Sequence, residues 1–198
     1  MKVYLAGPEV FLPDAKATGH RKKEICARFG LIGLFPLDNE ISGTMGERGA
    51  SVSRWIFRGN TAMMEDADAV IAHLTPFRGP SADPGTVYEL GFMAARGKIC
   101  AGYSNRRCSY IDRIARAASV TPDNGGRTDL DREGHVIENF GLPDNLMIIH
   151  ALEEFGHPII VPEAAPADIW RDLTLFEKCA EWITRQGSRA VTANAASR

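Results

Sequence analysis

Short apolar runs alternate with longer stretches of mixed apolar and polar residues through the first hundred positions. Residues 3–6 (Val-Tyr-Leu-Ala) form a brief apolar run stopped by Gly7 and Pro8, the punctuation of a strand end. A helical stretch opens at Pro13-Asp14 and closes at Phe29-Gly30, with an acid near its start and a glycine at its stop. Residues 31–37 read as a second strand closed by Pro36 and Asp38, 39–50 as a loop with three glycines, and 52–65 as a second helix. A third strand (69–74), a third helix (85–96) and a fourth strand (98–103) follow. This alternation of strand and helix predicts an α/β fold built from βαβ units around a parallel sheet. Strands apolar on both faces agree with a sheet covered on both sides.

The second half has a different texture. Residues 105–143 are charged and rich in Gly and Asp, with turn signals at Pro122-Asp123-Asn124-Gly125-Gly126. A long excursion of this kind is expected to serve as a lid, a binding loop or an oligomer contact. Asp144-Asn145 then opens an apolar segment to Phe155, and a last amphipathic helix is expected over 167–185. The small, polar tail from Gly187 is expected to fray. The division is therefore one domain over residues 1–186 and a flexible tail over 187–198, with no internal repeat.

The densest signal is the run Asp83-Pro84-Gly85-Thr86-Val87-Tyr88-Glu89-Leu90-Gly91, which follows the third strand and the breaker-rich loop Thr75-Pro76-Phe77-Arg78-Gly79-Pro80. Two carboxylates, six residues apart, flank the entry of this loop into a helix. Two readings fit. Thr86-x-x-Glu89 matches a capping box, and a helix N-terminus favours an acid in any case. The same junction can instead hold a carboxylate over a ligand at the edge of the sheet, and that reading needs other groups at the same edge.

Composition narrows the classes. The 198-residue chain is long enough for one domain with a full core, and it is 44% hydrophobic and 24% charged with a net charge of −2. Such a balance supplies no basic surface for nucleic acid. The N-terminus enters a strand directly, too short for a signal peptide or a span, so a cytoplasmic protein without membrane partners is expected. Cys26, Cys100, Cys108 and Cys179 show neither CxxC nor His spacing, and are expected to be reduced packing residues without a metal.

Ligands of open parallel sheets bind beyond the carboxyl ends of the strands. That edge collects residues 4–8, Asp38, 75–83 and 103–105, with Glu89 on the helix that begins there. Asn60 shares a helical face with Ile56 and Met64, which aims an amide at the interior, where a ligand, a backbone group or water must satisfy it. For Tyr4 the plainer reading is a packed strand aromatic with its hydroxyl bonded. Asp14, Asp38 and His73 are read as caps or loop residues, and Arg21-Lys22-Lys23 as a solvated helix face.

Taken together, Tyr4-Leu5-Ala6-Gly7-Pro8, the run from Asp66 to Glu89, and the run from Glu138 to Met147 resemble the nucleoside 2-deoxyribosyltransferases. The likeness is to the bacterial and protozoan branch with the loop Leu74-Thr75-Pro76-Phe77-Arg78-Gly79-Pro80, and it reaches to about residue 150. It implies a doubly wound, flavodoxin-like sheet of four to five strands with helices on both faces, and an enzyme that cleaves the N-glycosidic bond of nucleosides. By the same resemblance Glu89 is the nucleophile, Tyr4 orients it, and Asp83 helps bind the base and manage its proton. Gly7, Asn60, Phe77, Arg78, Gly79, Gly85, Asn145 and Met147 are the substrate-binding candidates. Asn145 would reach the sugar 5′-hydroxyl across a subunit boundary, which implies a homo-oligomer, a dimer or a multiple of dimers. The partners are nucleosides and nucleobases, and no cofactor or metal is implied. Many members carry Asp where Asn60 stands here. An amide donates no catalytic proton, so Asn60 is expected to position substrate and leave proton transfer to Asp83.

The chemistry supports these roles. Cleavage passes through an oxocarbenium-like sugar that a carboxylate can stabilise and capture as an ester. The helix N-terminus and Tyr4 are expected to keep Glu89 ionised, while Asp83 must be protonated to serve as the acid. Attack by a second base gives transfer, and attack by water gives hydrolysis, so exclusion of water decides the outcome. A hydrolase acting on nucleosides or their 5′-monophosphates therefore stays open, with Arg48, Arg58, Arg78 and Ser104 as sources of phosphate donors. A binding module without chemistry is the reading from another class, and a flavin site is open to any sheet of this kind.

Overall fold

The computed structural model describes residues 1–39, 49–117, 120–122, 125, 126 and 128–196, by backbone alone beyond 187. Four apolar runs pair into one parallel sheet: β1 (Lys2–Ala6), β2 (Ile32–Leu34), β3 (Ala69–His73) and β4 (Ile99–Tyr103), in the order β2-β1-β3-β4. The two central strands are buried along almost their whole length. A segment after the fifth helix continues the order beyond β4 through bridges Cys100–Gly156 and Tyr103–Ile160, both parallel. Gly156 is required there, because a Cβ would overlap the Cys100 carbonyl. The expected four to five strands are thus four full strands and this partial fifth.

Alternation along β1 sends Val3 and Leu5 to one face and Tyr4 and Ala6 to the other. The first face packs against α1 (Ala15–Arg28) and α6 (Thr174–Ala196), through Ile25, Cys26, Phe176, Cys179 and Ile183. The second packs against α2 (Ala50–Asp66), α3 (Pro84–Ala95) and α5 (Leu146–Phe155), through Met64, Leu90, Met93, Ile148 and Leu152. Helices on both faces of a parallel sheet make the doubly wound arrangement expected. Tyr4 and α3 therefore lie on the same side, which is what the site needs. Cys26, Cys100 and Cys179 are free and buried, and Cys108 is free and half-buried.

Several boundaries differ from expectation. The second strand stops at Leu34, because Pro36 opens a 3-10 turn (Pro36–Asp38) whose Asp38 carboxylate accepts the Phe35 N–H at 3.0 Å. The last helix begins at Thr174, after an irregular stretch, and extends to Ala196. Within 105–143 lie α4 (Tyr110–Ala117) and a small antiparallel sheet of β5 (Thr121–Pro122), β6 (Asp129–Leu130) and β7 (Val136–Ile137). Most of the expected 39–50 loop, including Arg48, and Asp123-Asn124 of the expected turn lie outside the described residues.

Lys22 overturns the reading of Arg21-Lys22-Lys23 as a solvated face. The buried row of α1 runs Ala15, Thr18, Gly19, Lys22, Ile25 and Cys26, and Lys22 is fully buried within it. Its ammonium pairs with Glu9 from the 3-10 turn Pro8–Phe11. No helix of the described residues is long and apolar enough to cross a membrane.

Candidate active site

Glu89 lies three residues after buried Thr86 and four before buried Met93, on the side of α3 that faces the sheet. Tyr4 points up from β1 on that side, and its hydroxyl donates to Glu89 Oε1 at 2.5 Å. This contact joins positions 85 residues apart. Burial pushes the Glu89 carboxyl up to about 7; the Tyr4 hydrogen bond opposes the rise and the nearby Asp83 charge adds to it. The expectation of a readily ionised Glu89 is corrected here. Glu89 is the sixth residue of α3, beyond the first turn where the helix field is effective, and burial outweighs the Tyr4 hydrogen bond. Burial and the Glu89 charge hold the Tyr4 phenol well above its ordinary value, so it remains a donor.

Asp83, and not Thr86, is the N-cap of α3. Its Oδ2 accepts the Thr86 N–H at 3.0 Å and the Thr86 hydroxyl at 3.2 Å, with Pro84 at the first helical position. The capping-box reading of Thr86 and Glu89 is thereby replaced. Capping belongs to Asp83, and Glu89 is left for Tyr4. A Cβ on Gly85 would come within 3.0 Å of Asp83 Oδ2, so glycine leaves the carboxylate room to fold back. Asp83 Oδ1 carries no hydrogen bond among the described residues.

The loop after β3 builds a rim of rings. Phe77 stacks on Phe11 at 5.5 Å between centroids and meets Trp170 edge-on at 5.6 Å. The Arg78 guanidinium lies 4.8 Å from the Phe11 ring and 4.7 Å from the Phe77 ring. Arg78 takes a left-handed backbone (φ 57°), a strained choice for a residue with a side chain. Gly79 beside it is exposed. Phe11 and Trp170 were not among the residues singled out in the sequence; the aromatic three positions after Gly7-Pro8 is the signal that could have marked Phe11.

Behind this rim lies a buried polar cluster. Lys22 pairs with Glu9, His73 Nδ1 lies 2.7 Å from Glu9 Oε1, and the Tyr103 hydroxyl donates to the same oxygen at 3.3 Å. His73 Nε2 lies 2.6 Å from Thr75 Oγ1, which accepts the Asn105 N–H at 2.8 Å. One assignment satisfies the chain: Nδ1–H donates to Glu9 and Nε2 accepts the Thr75 hydroxyl, with His73 neutral. Burial opposes a charge on Glu9, yet Lys22 and His73 hold its carboxyl well below the usual range. Burial also keeps the His73 imidazole below its ordinary value against the pull of Glu9. His73 is thus the end of β3 and a link between loops, not the loop or cap residue expected. Gly7 is glycine for the same reason, since a Cβ would overlap the Glu9 carboxylate.

The remaining candidates are spread more widely. Asn60 does not aim at the interior, because α2 buries little beyond Met64 and Ile56 is exposed. Its Oδ1 accepts from Asn39 Nδ2 at 3.1 Å. Asn145 caps α5, accepting the Met147 N–H at 3.0 Å and donating to Glu138 at 2.7 Å, and Met147 is 72% exposed. Among the described residues no hydrogen bond joins Asn145 to Tyr4, Asp83 or Glu89. Arg78 stands at the rim, Arg58 is exposed on α2, and the Ser104 hydroxyl is buried against Arg106 O at 3.3 Å. Asp14 spends its carboxylate on Arg171, and Asp38 serves as the cap described above. Among the described residues no group of three His, Cys, Asp or Glu side chains is placed to hold a metal ion.

Comparison with known proteins places this geometry in context. An uncharacterised protein of Schizosaccharomyces pombe is 34% identical over 155 residues, which cover 73% of this chain and 74% of that protein. The structure of a 2-desoxiribosyltransferase from Leishmania mexicana superposes with a TM-score of 0.56 at 33% identity, covering 74% of this chain and 84% of the other. A conserved protein from Enterococcus faecalis shares the fold at 17% identity, with a TM-score of 0.56 over 94% of this chain and 98% of its own. The sequence profile of nucleoside 2-deoxyribosyltransferase matches residues 3–147, from β1 through Tyr4, Asp83 and Glu89 to the start of α5, and the chain belongs to that family.

Proposed function

We propose that the protein moves a 2′-deoxyribosyl group from one nucleobase to another through a covalent ester on Glu89. The observation that carries this reading is a half-buried carboxylate bonded to Tyr4 and paired with no cation among the described residues. An acid held in that way has little to gain structurally, and a developing sugar cation supplies the missing charge. Tyr4 occupies Oε1, which leaves Oε2 to attack C1′. The C1′–N bond breaks as the C1′–O bond forms, and the single proton held between the Glu89 and Asp83 carboxyls passes by way of Asp83 Oδ1 to the departing base. The stacked rings of Phe11 and Phe77 with Arg78 support a role in holding the base. In the second half the incoming base attacks C1′, Glu89 leaves as carboxylate, and the base proton returns to Asp83.

The sugar's 5′ end has no donor of its own in this account. We assign that contact to Asn145 of a neighbouring subunit in a homo-oligomer, and the exposed Met147 and Phe140 beside it support a surface of that kind. The protein is incubated with deoxyinosine, with and without adenine, and the products are separated by chromatography. Deoxyadenosine formed only with adenine is the expected result. Free base without a new nucleoside, at any acceptor concentration, would move the reading to a hydrolase. No turnover of nucleosides or monophosphates would leave a binding module.

A further inference from the structure

The loop that delivers Asp83 is not held by the sheet alone. Arg113, in α4 and nearly buried, donates from Nε to Pro80 O at 2.5 Å, from Nη1 to Cys108 O at 2.6 Å and from Nη2 to Pro143 O at 2.6 Å. Nη2 also pairs with Asp144 Oδ2 at 3.2 Å. Asp144, more deeply buried than Arg113, collects the Ser81 hydroxyl at 2.5 Å, the Ala82 N–H at 3.1 Å and the Asn145 N–H at 2.8 Å. One guanidinium and one carboxylate therefore fasten three separate segments together: the loop just before Asp83, the 105–143 excursion, and the N-terminus of α5.

We infer that the Arg113–Asp144 pair is a positioning device that holds the Asp83 loop closed against the 105–143 segment, and thereby sets how the Glu89 ester divides between an incoming base and water. The inference rests on the glycosyl-ester reading. The segments that the pair joins carry Asp83 and Asn145. A planar fork with fixed donors can satisfy acceptors on several segments at once, whereas an ammonium of similar reach cannot. Loosening the fork frees all of these segments together and opens the ester to solvent. Water then adds its oxygen to C1′ as the Glu89 ester bond breaks, giving free deoxyribose and the carboxylate. The water's second proton passes to Asp83, where the base would have left its own.

The test is the ratio of new nucleoside to free deoxyribose at a fixed adenine concentration, for the wild type, Arg113→Lys and Ser81→Ala. Arg113→Lys is expected to lower the ratio by about tenfold while total base release falls by less, and Ser81→Ala to lower it by a smaller factor. Ser81→Ala removes one hydroxyl and decides the matter if Arg113→Lys fails to fold. An unchanged ratio in a folded variant, with the wild type transferring normally, overturns the inference and leaves the proposed function standing. A wild type that yields only free sugar overturns both.

Discussion

Glu9 and Glu89 are both drawn from water beside the central strands, Glu9 fully and toward α1, Glu89 partly and toward α3, and only Glu9 receives a cation. Lys22 holds Glu9 ionised, with hydrogen bonds added by the neutral His73 and by Tyr103. Glu89 receives one hydroxyl and the charge of another acid, and its carboxyl is pushed up to about 7. A buried charge with matched partners organises structure, since removing one partner strands the other. A buried charge without them is held ready for a partner that arrives with the substrate. On the proposed function, the two glutamates separate these uses within one sheet edge.

The comparison breaks most sharply in activity. Glu89→Gln is expected to cut kcat/KM for base exchange by about 10⁴-fold or more, measured by chromatography of products. Glu9→Gln should not approach that loss. In stability the order reverses. Lys22→Met strands the Glu9 carboxylate and is expected to cost about 3–5 kcal/mol in denaturant unfolding, and the double variant Glu9→Gln with Lys22→Met should recover most of it. An additive double variant would mean that the pair is not coupled.

Tyr4→Phe sharpens the contrast from the other side. Loss of a charge-assisted hydrogen bond is expected to lower kcat by about 10–100-fold. Because the Tyr4 bond holds the Glu89 carboxyl down, its loss should also move the acid limb of the pH–rate profile above about 7. A limb that moves lower would contradict the assignment of that limb to Glu89.

The smallest effect lies in stability against pH. In the unfolded chain Glu89 ionises near its ordinary value of 4.5, and in the folded protein near 7. Between these values the folded state binds the extra proton, so this residue makes the protein lose stability as pH rises from 4.5 to 7, and the loss is constant above that. Glu89→Gln removes it, so the melting temperature of the variant relative to wild type should climb across this window. Glu9 works with the opposite sign: its stabilisation is present above 4.5 and fades as pH falls below.

What the sequence made legible follows from what periodicity can report. Alternating strands and helices gave the layers, and the DPGTVYE junction marked Glu89 and Asp83 as candidates, because each is a local pattern placed at a known edge of the sheet; the pairing of Tyr4 with Glu89 was implied only by the family resemblance. The Glu9–Lys22–His73 cluster was hidden because it joins β3 to a 3-10 turn and the buried row of α1. Lys22 sits in a run of cations, and only its partner in space shows that it is buried. Arg113 was invisible for the same reason, since three of its four acceptors are backbone carbonyls that no side-chain pattern records. Asn60 misled because a helical face is defined without reference to what covers it, and little covers that face of α2.

The most direct test of the Glu89 assignment is the mass of the protein quenched in acid after mixing with a deoxynucleoside and no acceptor base. One deoxyribosyl group, mapped by proteolysis to Glu89, present in Glu9→Gln and absent in Glu89→Gln, is the predicted result. An adduct on another residue, or base exchange that survives in Glu89→Gln, would contradict the account.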